Sequence, residues 1–188
     1  VGADGGVFAL GGAPFLGSMG GQKLNAPIVG ITIGYPASPP NPSGYYLVAA
    51  DGGIFAFGGI PFYGSMGGQR LNAPIVGVAA PSPIFPYATG YWLVASDGGV
   101  FAFGLAKFLG STGNIHLNQP VVGMAFGSNA QHGGPPDPNG NQGYWLGARD
   151  GGVFAFGDTD FCGSAAGISP KPPIVGIVGT FLSYQGGG

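Results

Sequence analysis

The fold is constrained most by residues 90–104, which read GYWLVASDGGVFAFG. Residues 91–95 and 100–103 are rich in the aromatic and β-branched side chains that suit a pleated, half-buried strand. Residues 96–99 contain Asp-Gly, which is typical of tight hairpin turns because a type I′ turn needs positive φ at both central positions. The stretch therefore predicts a β-hairpin with a tight turn.

This hairpin recurs along the chain. The other copies are GYYLVAADGGIFAFG from Gly44, GYWLGARDGGVFAFG from Gly143 and a shortened form, VGADGGVFALG, from Val1. The turn aspartates Asp4, Asp51, Asp97 and Asp150 lie 47, 46 and 53 residues apart. Such spacings are close to the roughly 40–50 residues of a four-stranded propeller blade. The chain is thus divided into four repeats, at approximately 1–43, 44–89, 90–142 and 143–188.

Two further apolar segments follow the hairpin in each repeat. The third segments are residues 14–18, 61–65, 107–111 and 160–164, and each ends in Gly-Ser. The fourth segments begin with proline and are residues 27–31, 74–78, 120–124 and 173–177. Proline is allowed at the first position of a strand, where the ladder needs no donor. We therefore predict four strands per repeat.

These elements predict an all-β fold, a small four-bladed β-propeller formed by one domain over residues 1–188. The first repeat lacks its Gly-Tyr-Trp-Leu portion, whereas residues 173–178 and 180–184 extend beyond the last hairpin. We expect this C-terminal segment to complete the first blade and close the ring, which removes open strand edges. The alternative is an open array whose edges pair with other copies to form filaments.

Composition limits the classes of partner. Only 6% of the 188 residues are charged, glutamate is absent, and the net charge is −2. The chain has no basic stripe that could follow a phosphate backbone, so nucleic-acid binding is not expected. No apolar run reaches the roughly 18 residues of a membrane-spanning helix, so we expect no transmembrane segment. The glycine-rich, low-charge surface is typical of secreted proteins.

The turn aspartates have two interpretations. Asp4, Asp51, Asp97 and Asp150 would lie around one rim, and a ring of carboxylates could bind Ca²⁺. Aspartate also suits turns for its own reason, because its side chain hydrogen-bonds the local backbone. With one carboxylate per turn, the second interpretation is favoured, and metal binding is the weaker hypothesis.

Repeated aromatic and amide side chains are the candidate ligand-binding residues. Tyr46, Trp92 and Trp145 open the complete hairpins, where they either pack between blades or form platforms that stack on sugars. Asn25, Asn72 and Asn118 precede the proline-led segments, where they cap a turn or offer donors and acceptors to hydroxyl-rich ligands.

Catalytic chemistry is not expected. No nucleotide-binding, redox or hydrolase motif is present, and both histidines, His116 and His132, lie outside the repeated motifs. Asp158 and Asp160 form the only acidic pair, which we interpret as a surface pair. The single cysteine, Cys162, takes the place of Leu16, Tyr63 and Leu109, and is expected to be a small core residue. We predict a protein that is not an enzyme and needs no cofactor.

The repeat, with GYWLVASDGGVFAFG followed by FLGS and PVVGM, resembles one that is widespread in secreted actinobacterial proteins. The resemblance covers nearly the whole chain. It implies a secreted, extracellular or cell-envelope location and an accessory module that often lies beside cell-wall hydrolases or peptidases. We therefore expect a non-catalytic, lectin-like module that binds a glycan or cell-envelope polymer. The alternative is a structural protein that self-associates into a surface layer or filament.

Overall fold

The structure is a computed structural model, and it describes residues 1–35, 44–81, 89–127, 142–168 and 170–179. The predicted all-β class is confirmed. The described residues form nine strands and one short 3₁₀ turn, Ala166–Ile168. The strands are β1 (Ile28–Gly34), β2 (Gly44–Ala49), β3 (Ile54–Gly58), β4 (Ile75–Ala79), β5 (Gly90–Ala95), β6 (Val100–Gly104), β7 (Val121–Gly127), β8 (Gly143–Ala148) and β9 (Val153–Gly157).

The strands form three antiparallel sheets of three strands each, in the orders β1-β2-β3, β4-β5-β6 and β7-β8-β9. Each sheet combines the fourth segment of one repeat with the hairpin of the next. In the second sheet, Ile75 of β4 pairs with Ala95 of β5, and the register shifts at a bulge between Ile75 and Gly77. Consecutive repeats are therefore tied together by backbone ladders as well as by side-chain packing.

The three complete hairpins are at the predicted places, whereas the shortened one from Val1 forms no strands, and the turns are one residue longer than the type I′ turn. Ala95 and Gly99 close the third hairpin, with the Ala95 N–H donating to the Gly99 carbonyl at 2.8 Å. Three residues separate them, and the Gly98 N–H donates back to the Ala95 carbonyl at 2.9 Å. Gly98 alone has the positive φ, +82°. This pattern is the three-residue loop in which glycine at the left-handed position forms a bulge.

The prediction of four strands per repeat is wrong for the described residues, because the third segments are not strands. A glycine in the left-handed region ends each outer hairpin strand, as at Gly104 with φ +71°. A second glycine of positive φ lies within each segment, as at Gly64 with φ +124°. These residues turn the backbone away from the ladder, so the third segments pack beside the sheets without joining them.

The core lies between consecutive sheets, since both faces of each hairpin are apolar. Tyr91 and Leu93 face the preceding sheet and pack in one cluster with Tyr46 and Val48. On the other face, Trp92 packs in a second cluster with Tyr144 of the following sheet. The ring centroids are 4.6 Å apart for Tyr46 and Tyr91, and 5.4 Å apart for Trp92 and Tyr144. Tilted aromatic pairs at such distances add to the stabilisation that burial provides.

The fourth segments approach one another closely at glycines. A Cβ on Gly77 would lie only 3.2 Å from Cα of Gly123. A cavity of about 180 Å³ is bordered by residues at or just after the ends of the four fourth segments, namely Thr32, Val78, Ala79, Ala80, Met124, Ala125, Phe126, Ile177, Val178 and Gly179. Residues from all four repeats therefore border one small space.

The sheets do not close into a ring within the described residues. Residues 1–10 and 174–179 form no strand, although their sequences match strand positions of the other repeats. Phe8 and Leu10 at one end, and Val175 and Val178 at the other, are strongly exposed. The predicted completion of the first blade depends partly on residues 180–184, which lie outside the described residues.

Candidate functional site

Two of the three candidate aromatic residues are in the core. Tyr46 is 1% exposed, and its hydroxyl donates to the Pro61 carbonyl at 2.6 Å. Trp92 is fully buried, and its Nε1–H donates to the Lys107 carbonyl at 2.7 Å. In these positions neither ring has a face open to a ligand. Trp145 makes the matching bond to the Asp160 carbonyl at 2.9 Å, but it is only half-buried and stays a candidate.

The residues just before them, Tyr45, Tyr91 and Tyr144, join each hairpin to the preceding repeat. The Tyr91 hydroxyl accepts from the Tyr63 N–H at 3.2 Å and donates to the Gly64 carbonyl at 2.6 Å. Tyr144 bonds Leu109 and Gly110 in the same way, and Tyr45 bonds Leu16 and Gly17. We call these three residues the bridging tyrosines.

Burial raises the pKa of two bridging tyrosines, Tyr91 and Tyr144, above the usual value near 10. It raises the pKa of Tyr46 further, with smaller contributions from Tyr63 and Tyr91. Sequence reasoning missed the bridging role. The available signal was that tyrosine alone occupies this position in all three complete hairpins, whereas the next position holds Tyr or Trp.

The four turn aspartates act on their own turns. In each, Oδ1 accepts the N–H of the glycine two residues later, at 2.9–3.0 Å, in Asp4, Asp51, Asp97 and Asp150. Within the described ranges, no three His, Cys, Asp or Glu side chains come together in a group that could hold a metal ion. The geometry therefore favours the turn interpretation over the ring of carboxylates.

A cleft does form beside one of these turns, and two candidate residues border it. Asn25, Lys23 and Leu24 of the first repeat lie on one side, and Asp51 and Phe55 of the second hairpin on the other. Ala26, Ala49, Gly53, Gly67 and Gly68 complete its border. The cleft measures about 210 Å³, and we call it the rim cleft.

The sequence spacing of the polar residues at the rim cleft recurs in the next two repeats. Asn72 follows Arg70 by two residues, as Asn25 follows Lys23, and Asn118 follows His116. All six of these side chains are exposed. The fourth repeat departs from the pattern, because Lys171 takes the place of the asparagine. Three positions that are equivalent in sequence thus carry an exposed asparagine two residues after a Lys, Arg or His.

The other candidate residues have simpler positions. Cys162 is exposed, so the prediction that it is a core residue is wrong. Its counterparts Leu16, Tyr63 and Leu109 are half-buried because the next hairpin covers them, and no described residue does this for Cys162. His116 is exposed, and His132 lies outside the described residues. Asp160 is exposed and Asp158 half-buried.

Comparison with known proteins gives no match: no family model fits the chain, and no curated protein or solved structure resembles it significantly. Across the part of the chain that the structure describes, no helix has the length and apolarity needed to cross a membrane.

Proposed function

We propose that this protein is a non-catalytic extracellular module that binds a glycan or another hydroxyl-rich cell-envelope polymer at the rim cleft and its equivalents. One observation carries the proposal. An exposed asparagine follows a Lys, Arg or His by two residues at the same place in three consecutive repeats, and Asn25 borders a cleft with Asp51.

The chemistry of the rim cleft suits a sugar. The Asn25 amide offers two donors and an acceptor, and hydroxyl groups need both. Phe55, half-buried at the border, supplies an apolar surface for the C–H face of a sugar ring. A concave site with an apolar wall and a few polar groups is the common form of a small-ligand site.

Repetition adds avidity. A single amide–hydroxyl hydrogen bond contributes about 1 kcal/mol, which is too little for useful affinity. A polymer that engages three equivalent sites gains the second and third contacts at high effective concentration. Such avidity requires the asparagines to share one rim, which the sequence repeat predicts.

We further propose that the three sheets are consecutive blades of a small four-bladed propeller. Support comes from the side-by-side fourth segments and from the cavity that all four repeats border. The resemblance to the secreted actinobacterial repeat and the 6% charged residues support a secreted or envelope-associated location.

The test is a glycan array followed by calorimetric titration with peptidoglycan and arabinogalactan fragments. The triple variant Asn25→Ala, Asn72→Ala, Asn118→Ala should bind a short fragment about fivefold more weakly, since each site loses one hydrogen bond. The affinity of the triple variant for the intact polymer should fall by more than about a hundredfold, because the losses at the three sites multiply.

Gln22→Ala provides the control, because Gln22 is exposed in the same loop but does not border the rim cleft. It should bind as the parent does. The proposal fails if the folded parent binds no glycan, or if the triple variant and the control bind equally well.

A second candidate function is structural self-association, favoured by the apolar residues exposed at both ends of the repeat array. Phe8, Leu10, Val175 and Val178 are the clearest examples. Ordered fibres in electron micrographs, with mass that rises with concentration in light scattering, would support assembly. A single concentration-independent species would exclude it.

A further inference from the structure

The third sheet and the third and fourth segments of the last repeat border an apolar depression. It measures about 380 Å³ and is bordered by Gly147, Ala148, Gly151, Gly152, Val153, Gly163, Ser164, Ala165, Ile168, Ile174, Gly176 and Ile177. None of these residues is charged. We call it the terminal groove.

The equivalent surface is covered in the earlier repeats. Val48 and Ile54, which match Gly147 and Val153, are buried under Tyr91 and Leu93 of the next hairpin. Ile75 is fully buried, whereas its counterpart Ile174 is half-buried. Val175 is 87% exposed. The terminal groove is therefore the last repeat's counterpart of a surface that, in each earlier repeat, is covered by the hairpin of the next repeat.

The third-segment glycines show that the last repeat lacks the phenylalanine contact of the earlier repeats. A Cβ on Gly64 would lie 2.8 Å from the Phe103 ring of the next hairpin, and one on Gly110 would lie 2.5 Å from Phe156. Gly163 has a similar backbone, with φ +117°, but a Cβ there would meet nothing within 4 Å. Gly163 therefore has the backbone conformation that accommodates a phenylalanine ring in the earlier repeats, and the space for the ring is open.

Hydrogen-bonding groups are also in place. The Pro74 and Pro120 carbonyls accept the Ser96 and Arg149 N–H of the next hairpin, each at 2.9 Å. Among the described residues nothing donates to the Pro173 carbonyl, and no tyrosine hydroxyl reaches the Cys162 N–H or the Gly163 carbonyl.

We infer that the terminal groove is the docking site of one occupant, a partner β-hairpin of the same Gly-Tyr-x-Leu…Phe-Ala-Phe type. Its tyrosine bonds Cys162 and Gly163, its last phenylalanine lies over Gly163, and its turn donates to Pro173. Residues 1–10 of this chain supply neither the tyrosine nor the leucine, because Val1 aligns with Val48. The inference rests on continuity with three interfaces of the same kind and is independent of glycan binding. It makes a partner hairpin, rather than residues 1–10, the completion of the remaining blade of the proposed propeller.

The test extends the full chain after Gly188 with a second copy of residues 44–65. The added glycine then falls 16 residues after Pro173, the separation between Pro74 and Gly90. The tether supplies a high effective concentration, so a hairpin that fits will dock. Hydrogen exchange at the Cys162 N–H should slow at least about tenfold, and Trp145 fluorescence should shift to the blue.

Two variants of the extended chain make the test specific. The first carries alanine in place of the tyrosine and phenylalanines of the added copy that match Tyr45, Phe55 and Phe57. The second is Gly163→Ala, whose Cβ fills the position of the docking ring. Both should return exchange to the rate of the unextended chain. Gly12→Ala is the matched control, because Gly12 has φ +85° with open space around it, and it should leave protection unchanged.

The inference is overturned if extension leaves exchange at Cys162 unchanged, or if protection survives Gly163→Ala. It is also overturned if the Cys162 N–H is protected from exchange in the unextended chain and loses that protection in either of two variants. One lacks residues 1–10, and the other replaces Tyr184, the tyrosine of the C-terminal segment. In the unextended chain, protection that rises with concentration would support the inference with a second copy as the partner, whereas concentration-independent protection would assign the groove to a segment of the same molecule and overturn it.

Discussion

The third and fourth repeats carry nearly the same hairpin, GYWLVASDGGVFAFG and GYWLGARDGGVFAFG, yet their surroundings differ. Trp92 and Val94 of the third repeat are fully buried, because the fourth hairpin packs on them. Trp145 of the fourth is half-buried, and no hairpin among the described residues packs on it. The comparison shows that burial of a repeat residue depends on the neighbour that follows, as expected where each unit contacts only adjacent units.

The largest expected effect tests this difference directly. Trp92→Ala removes a fully buried side chain that also bonds the Lys107 carbonyl, so it should lower the free energy of unfolding by about 3–5 kcal/mol. Trp145→Ala removes the same side chain from a half-buried site and should cost about 1–2 kcal/mol. Urea denaturation measures both, and equal losses would contradict the dependence on a following neighbour.

Next in size is the loss of one bridging hydroxyl. Tyr91→Phe leaves the Tyr63 N–H and the Gly64 carbonyl without their partner at the interface between the second and third repeats. The expected cost is about 1–3 kcal/mol of unfolding free energy. Tyr35→Phe is the control, because Tyr35 is half-buried and makes no hydrogen bond to a described residue. If the two variants lose equal stability, the bridging bonds do not hold the repeats together.

The same interfaces should make the protein sensitive to alkali. The pKa of Tyr46, Tyr91 and Tyr144 is raised by burial in the folded state, so that state holds these protons more tightly than the unfolded chain does. The stabilisation is complete below the unfolded pKa near 10 and is lost as pH rises above it. Denaturation curves from pH 8 to 11 should show this fall, with a shallower slope in Tyr144→Phe. A free energy of unfolding that rises above pH 10 would contradict the prediction.

The repeat period and the hairpins could be predicted from sequence because they depend on local signals, the Asp-Gly turn and the alternating apolar runs. The third segments look like strands by composition, but glycines such as Gly64 and Gly110 take positive φ and leave the ladder. The sequence could not predict that Trp92 is fully buried whereas Trp145 is only half-buried. Their exposure depends on whether another hairpin follows, which a single repeat's sequence does not contain.

Asn25 and Asp51 illustrate the same limit for the candidate site. They are 26 positions apart and belong to different repeats, and only the pairing of the first repeat's fourth segment with the second hairpin brings both to one cleft. Both residues were identified as candidates from the sequence alone. That they border the same cleft depends on a ladder between repeats, which no local sequence pattern specifies.

The smallest expected effect concerns a polar group that the interior packing has trapped. Thr112 is 2% exposed, its Oγ1 has no hydrogen-bond partner among the described residues, and it lies against the turn at Gly98. The equivalent positions in the other repeats hold Met19, Met66 and Ala165, which are apolar.

Thr112→Val keeps the shape and removes a hydroxyl that burial leaves unpaired, so it should raise the free energy of unfolding by up to about 1 kcal/mol. Thr159→Val is the matched control near the open end of the array, because the Thr159 hydroxyl donates to the Phe156 carbonyl at 3.3 Å. That variant should lose stability by a similar amount. If the two variants change the stability in thermal denaturation in opposite directions, the interior position of Thr112 favours an apolar side chain. If both variants lose the same stability, the Thr112 hydroxyl has a partner in solution.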